Sequence, residues 1–350
     1  MSKLRIGFVG VGGMGQCAHL KNYAILPECE VVALAELRPG LAERVAAKYG
    51  VPRVYPDHQA MLAAEKLDGI VASQPFTRYT VLLPELLAAG VPIFVEKPIA
   101  STLEGGRGLL ATIEASGTWV MVGYHKRSDP ATAWAKAEID RLQGTGELGK
   151  LRYVRLLMPP GDWIAGGFAD LLTNEEPLPA LERESSAADM DEPAFNQYVG
   201  FVNYYIHQVN LLRYLLGEPY EVTFADRTGV LFVAESASGV TAMIEMAPYQ
   251  TSMDWQESAL VCFERGWIKV DLPAPLASNR PGRVQVYRDP GEGAQPTREE
   301  PQFPWVHAMK AQTMNFLAAI RGETKPPCEA AEAVEDLRIA REYLRKWKGV

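Results

Sequence analysis

The six residues Gly10-Val11-Gly12-Gly13-Met14-Gly15 constrain this chain more than any other stretch of its 350 residues. They follow directly on an apolar run, residues 4–9, and open a segment with apolar residues at helical spacing, residues 14–26. A strand that ends in G-x-G-x-x-G and opens a helix is the signature of a dinucleotide-binding turn. Gly10 allows the tight turn. Gly12 lets the backbone approach a pyrophosphate. Gly15 lets the helix pack close to the strand. Gly13 and Met14 complete a cradle whose helix start offers free N–H groups and partial positive charge to phosphates. A second strand, residues 30–35, ends in Glu36, 21 residues past Gly15. That carboxylate is placed to accept hydrogen bonds from an adenosine ribose. It favours the free 2′-hydroxyl of NAD over the 2′-phosphate of NADP. Arg38, two residues on, is able to hold such a phosphate and pulls the other way. The expected cofactor is NAD, with NADP second.

Residues 1–123 alternate short apolar strands (4–9, 31–35, 69–72, 93–95, 119–122) with helical patterns (14–26, 40–49, 57–64, 81–89, 103–115). Asp57 is placed as an N-cap, and Gly50 and Gly90 as C-caps. Such alternation predicts a parallel sheet with right-handed crossovers, a Rossmann domain over 1–123. The pattern changes after Gly123. A helix is expected at 130–142 and a strand at 151–157, followed by a Pro-, Gly- and acid-rich stretch, 159–196. A strong helix at 198–216 ends at Gly217. Strand-like runs come next at 221–226, 229–234, 239–246, 258–264, 267–271 and 284–287, and then helices at 306–321 and 329–347. Successive strands without intervening helices predict an open, mostly antiparallel sheet. The fold class is therefore α/β, with a C-terminal α+β domain over 124–350. The last helix is expected to be able to pack back on the first domain. The segment 166–192 holds eight acids and one arginine, Arg183, and reads as a surface insertion.

Net charge is −8 without a long basic cluster, which argues against nucleic acid and anionic membranes as partners. No apolar stretch reaches spanning length. The N-terminus runs straight into a strand without a basic region, apolar region and cleavage site, so no secretion signal is expected. Cys17, Cys29, Cys262 and Cys328 lack metal-ligand spacing, so no metal site is expected. They read as reduced thiols of a cytoplasmic protein.

Glu96-Lys97-Pro98 follows the fifth strand, on the rim where open α/β sheets bind ligands. A lysine there binds a substrate hydroxyl and shares its proton transfer; the bland reading is a surface lysine. Asn203, His207 and Asn210 fall at i, i+4 and i+7 on one helix, hence on one face. A stripe of amide, imidazole and amide suits a polyol and a proton transfer near neutral pH. The alternative is a partly buried, satisfied histidine. His125-Lys126-Arg127 forms a small basic cluster after the sixth strand, next to Tyr124, a candidate substrate contact. Trp163 offers a ring on which a sugar stacks.

The order GVGGMG, Glu36, EKP at 96–98 and HQVNLLRYLLG at 207–217 resembles the Gfo/Idh/MocA oxidoreductases over nearly the whole chain. Glu147-Leu148-Gly149-Lys150 and residues 316–322 look like further landmarks. The resemblance implies a nicotinamide held between two domains, a homodimer or homotetramer joined through the second sheet, and a dehydrogenase acting on CH–OH groups. By the same resemblance Lys97 is the active-site lysine and His207 the acid or base. Gln74, Pro75, Glu96 and Arg127 join the cofactor contacts. Asn203 and Asn210 stand where relatives place aspartates, and Tyr79 where a histidine is usual. Asparagine orients His207 but supplies no charge, so a neutral imidazole is expected. The implied function is NAD(P)-dependent oxidation or reduction of a sugar, polyol or related cyclic carbohydrate. Two alternatives stay open. One is a redox-neutral glycoside-cleaving or epimerising enzyme. The other is a non-catalytic dinucleotide and sugar sensor.

Overall fold

The structure, a computed structural model, describes residues 2–348 apart from Pro248 and Glu292. The first apolar runs become strands separated by helices. In order they are β1 (Leu4–Val9), a π-helical turn (Gly15–Leu20) leading into α1 (Lys21–Tyr23), β2 (Cys29–Ala35), α2 (Pro39–Tyr49), β3 (Arg53–Tyr55) and α3 (His58–Ala64). There follow β4 (Gly69–Ala72), α4 (Tyr79–Leu87), β5 (Ile93–Glu96), α5 (Leu103–Ala115) and β6 (Val120–Gly123). The sheet order is β3-β2-β1-β4-β5-β6, and every pair is parallel. This is the doubly wound order, whose ligand crevice lies at the carboxyl ends where the order reverses, between β1 and β4. β4, β5 and β6 are buried throughout, as strands covered on both faces must be. Local chemistry sets the helix ends. Asp57 accepts from Ala60 N at 2.7 Å to start α3, and Gly50 closes α2 in the left-handed region at φ 68°.

The rest comprises α6 (Pro130–Thr145), β7 (Leu151–Leu157), α7 (Glu192–Leu216), β8 (Tyr220–Ala225), β9 (Leu231–Ser236), β10 (Thr241–Glu245) and β11 (Ser258–Phe263). It ends with β12 (Gly266–Asp271), β13 (Arg283–Arg288), β14 (Thr297–Glu299), α8 (Ala308–Ile320) and α9 (Ala330–Lys348). These strands form one sheet, β14-β13-β12-β11-β7-β10-β9-β8. β7 pairs with β10 in parallel, and the other pairs are antiparallel. Ala259, Val261, Val284 and Val286 point to the buried face and alternate with half-exposed neighbours.

The chain divides into two compact units. The first holds Met1–Tyr124, Gly166–Asn203 and Gln312–Leu337. The second holds His125–Ala165, Tyr204–Ala311 and Arg338–Val350. Phe316 and Leu317 join Ile6, Phe8, Phe94 and Met121 in the core of the first unit. The backbone N–H of Val122 donates to Cys328 O at 3.0 Å.

Two strands, β3 and β14, were not expected from the sequence. α7 begins at Glu192 rather than 198, because Asp191 caps it: the Asp191 carboxylate accepts from Ala194 N at 2.8 Å. The segment 166–192 also differs from a free surface insertion. It packs in the first unit, and its acids Asp170, Glu176 and Glu184 are bonded there.

Candidate active site

The glycine turn has the shape its residues dictate. Gly10 has φ +87°, and a Cβ there would stand 2.7 Å from Ser73 O and collide with the Gln74 amide. A Cβ on Gly15 would stand 2.7 Å from Gly10 O, so only glycine lets the helix start this close to β1. Above Gly12 there is open space within 4 Å. The turn thus keeps room for a pyrophosphate and fits a dinucleotide. Beside Gly13 the Phe168 ring comes within 3.4 Å of where a Cβ would lie. Met14 and Gly15 carry the helix start, and Gln16 N returns to Gly12 O at 2.9 Å.

Glu36 ends the run from β2 and is buried. Its Oε2 accepts from Val11 N at 3.0 Å, which ties the turn to β2. Its Oε1 accepts from Arg38 Nε at 2.7 Å. The acid and the arginine expected to compete over a phosphate are therefore an ion pair.

After β4, Gln74 donates from Nε2 to Val9 O at 3.2 Å and accepts from Arg78 Nη1 at 3.2 Å. Pro75 leads into a short 3₁₀ turn, Phe76–Arg78. Tyr79 is fully buried. Its hydroxyl donates to Ala72 O at 3.1 Å and accepts from Glu96 N at 3.0 Å, so it locks the ends of β4 and β5. Burial, with Glu96 nearby, holds its phenol well above the ordinary value. Glu96 lies 2.6 Å from the buried ring of His19 through Oε1 and accepts Lys97 N at 3.2 Å through Oε2. The Lys97 ammonium donates to the backbone carbonyl of Asn203 at 2.6 Å. The Lys97–Pro98 peptide is cis. Tyr124, just past β6, is buried.

In the second unit, His125 and His207 meet edge to face, with ring centroids 4.6 Å apart. Arg127 is buried; its Nε donates to Asn210 Oδ1 at 2.6 Å, and its guanidinium lies 4.8 Å over the Tyr214 ring. Asn210 thus anchors an arginine. Lys126 and Glu257 form a buried ion pair, and Gln208 Nε2 donates to Glu257 Oε1 at 2.7 Å. Burial pulls the Lys126 ammonium below its ordinary value, against the opposing pull of Glu257. Trp163 N turns back to Gly161 O at 3.0 Å. Leu211, Leu212, Leu215 and Leu216 form the packed side of α7. Among the described residues no cluster of His, Cys, Asp and Glu could hold a metal ion.

The structure therefore gathers the glycine turn, Glu36, Arg38, Gln74, Glu96 and Lys97 on one rim of the first unit, with Asn203 O bonded to Lys97. It places His207, Arg127 and Trp163 in the second unit. Sequence reasoning missed the bonds of His19, Glu257, Glu176 and Glu184. Each partner is distant in the chain and follows no periodic pattern.

Residues 4–124 match the Gfo/Idh/MocA family, described as an oxidoreductase family with an NAD-binding Rossmann fold. Over 137 residues the chain is 30% identical to inositol 2-dehydrogenase of Acidothermus cellulolyticus, covering 39% of this chain and 40% of that protein. Over 218 residues it is 28% identical to scyllo-inositol 2-dehydrogenase (NAD(+)) of Bacillus subtilis, covering 61% and 54%. The chain thus spans about half or less of the length of these two relatives. In fold it is similar to apo scyllo-inositol dehydrogenase from Lactobacillus casei, at a TM-score of 0.69 and 16% identity over 99% of this chain and 98% of that one. The glycine turn, the lysine on the strand rim and this match together make residues 4–124 similar to the NAD-binding Rossmann domain of the Gfo/Idh/MocA oxidoreductases.

Proposed function

We propose that the chain interconverts a hydroxyl and a carbonyl carbon of a sugar, polyol or related cyclic carbohydrate, with NAD as the preferred cofactor. The observation that carries this reading is Lys97, an ammonium on the carboxyl rim of the Rossmann sheet, bonded to the backbone of the helix that also bears His207. Bound nicotinamide supplies the hydride acceptor or donor. The chain's own residues bind and move the proton. Lys97 donates to the substrate oxygen, and His207 takes the hydroxyl proton as the carbon is oxidised. Asn203 positions the same hydroxyl. Two named relatives that act on inositols support a polyol substrate.

Glu36 supports NAD, since a buried carboxylate repels a second phosphate. The four free cysteines fit a reducing cytoplasm, and the second sheet supplies a face for a homodimer or homotetramer. Among the described residues no helix is long and apolar enough to cross a membrane.

The test is NADH formation from a panel of inositols, sugars and glycosides. Wild-type protein is expected to produce NADH with at least one polyol. Lys97→Ala is expected to bind NAD and to lose about 10²-fold in turnover. A fully active Lys97→Ala, or turnover of a glycoside without net NADH, overturns the reading.

A further inference from the structure

The first unit carries two features at its ribose-binding end that attract an extra phosphate, and the chain fills both with its own carboxylates. One is Arg38. Its Nε and its backbone N–H both donate to Glu36 Oε1, at 2.7 and 3.2 Å. The other is the start of α2. A helix start leaves N–H groups without intrahelical acceptors, and these draw anions. At α2 the donors are few. Pro39 opens the helix and has no N–H. Ala42 N already reaches Arg38 O at 2.9 Å. That leaves Gly40 N, which donates to Glu176 Oε1 at 3.1 Å, and Leu41 N, which donates to Glu176 Oε2 at 3.2 Å. Glu176 takes both donors. Gly40 makes room for it: a Cβ there would stand 3.0 Å from Glu176 Oε1.

Glu176 is held in place by its own stretch of chain. Asn174 Nδ2 donates to its Oε2. Arg44 of α2 donates to Thr173 O at 2.9 Å, and Lys48 reaches Asp170 Oδ2 at 2.9 Å. Gln16 clasps Leu172 twice, giving Nε2 to Leu172 O at 2.9 Å and taking Leu172 N at 3.1 Å. The segment is thus tied to α2 and to the helix opened by the glycine turn, the two elements that frame an adenosine.

We propose that Glu176 sets the choice of cofactor: it occupies the anion-binding start of α2 and so excludes the 2′-phosphate of NADP, while the uncharged 2′-hydroxyl of NAD still meets Glu36. The proposal rests on the dinucleotide reading above and deepens it. A 2′-phosphate brings nearly two negative charges. With Glu36 alone in its way, it would find compensation in the α2 N–H groups. Glu176 removes that compensation and adds a second repelling charge.

The test is calorimetric titration of the full chain with NAD and with NADP, for wild type, Glu176→Gln and Glu176→Ala. The quantity read is the ratio of the NADP to the NAD dissociation constant, which cancels a general loss of folded protein. Wild type is expected to prefer NAD. The ratio is expected to fall about tenfold or more in Glu176→Ala, and less in Glu176→Gln, whose uncharged amide still caps the helix. A wild-type preference for NAD with an unchanged ratio in both variants overturns the role of Glu176 and leaves Glu36 as the selector. A wild type that binds NADP at least as tightly as NAD overturns the NAD reading itself, and the proposal with it.

Discussion

Buried carboxylates position much of this chain, and Asp129 shows what that costs. Its Oδ1 caps α6 by accepting Ala131 N at 2.9 Å, and its Oδ2 accepts Gly282 N at 3.0 Å. Burial, with Glu257 adding to it, pushes its acid up from 3.8 to about 6, although three backbone N–H bonds pull the other way. The folded state therefore holds this proton more tightly than the unfolded state. Stability from this group falls as pH rises from about 4 to about 6, by roughly 3 kcal/mol at about 1.4 kcal/mol per pH unit. Urea unfolding across that window should show the decline in wild type and a flatter profile in Asp129→Asn. An unchanged slope in the variant would assign the titration to another group. Residues of this kind are not legible in sequence. Gly10, Glu36 and Lys97 are, because each sits at a strand end that an apolar run announces. The partners Glu96 of His19 and Glu176 of Gly40 lie far along the chain, and only the folded backbone brings them together.

At the scale of elements, α7 bears the proposed proton acceptor, His207. Asn203 lies one turn before His207, and Asn210 is engaged by Arg127. A carboxylate at 203 would stabilise the imidazolium. Asn203→Asp is therefore expected to move the acid limb of the kcat/KM profile up by about half to one pH unit, since less neutral base is present at a given pH. His207→Ala should abolish that limb. A limb that stays put in Asn203→Asp would mean the two side chains do not interact across the turn. The body of α7 was legible from its leucines, but its first turn was not. Residues 192–197 have no apolar stripe, and Asp191 starts the helix by capping alone. β3 and β14 were illegible for a related reason. Each has three residues, lies at a sheet edge and is largely exposed, so neither alternation nor a buried run marks it.

At the scale of the whole molecule, the open face of the second sheet bears on assembly. Tyr153, Cys262, Trp267 and Tyr287 fall in one row across four adjacent strands. The last two rings stack with centroids 6.0 Å apart. Such a row suits a symmetric partner. Sedimentation should find a dimer or tetramer, shifted toward monomer by Cys262→Arg; a monomeric wild type would refute this use of the face. The first unit carries a different consequence. Its sheet is complete in sequence by Tyr124, yet its core waits for Phe316 and Leu317, in the segment that begins at Gln312. At about 5–20 residues per second of synthesis, that interval is on the order of ten to forty seconds. Throughout it, the apolar flank around Phe94, which later meets the Phe316 ring at 5.9 Å, stands open at the ribosome. A chaperone that shields nascent apolar surface is therefore expected to raise the yield of this chain during synthesis more than it affects the finished protein.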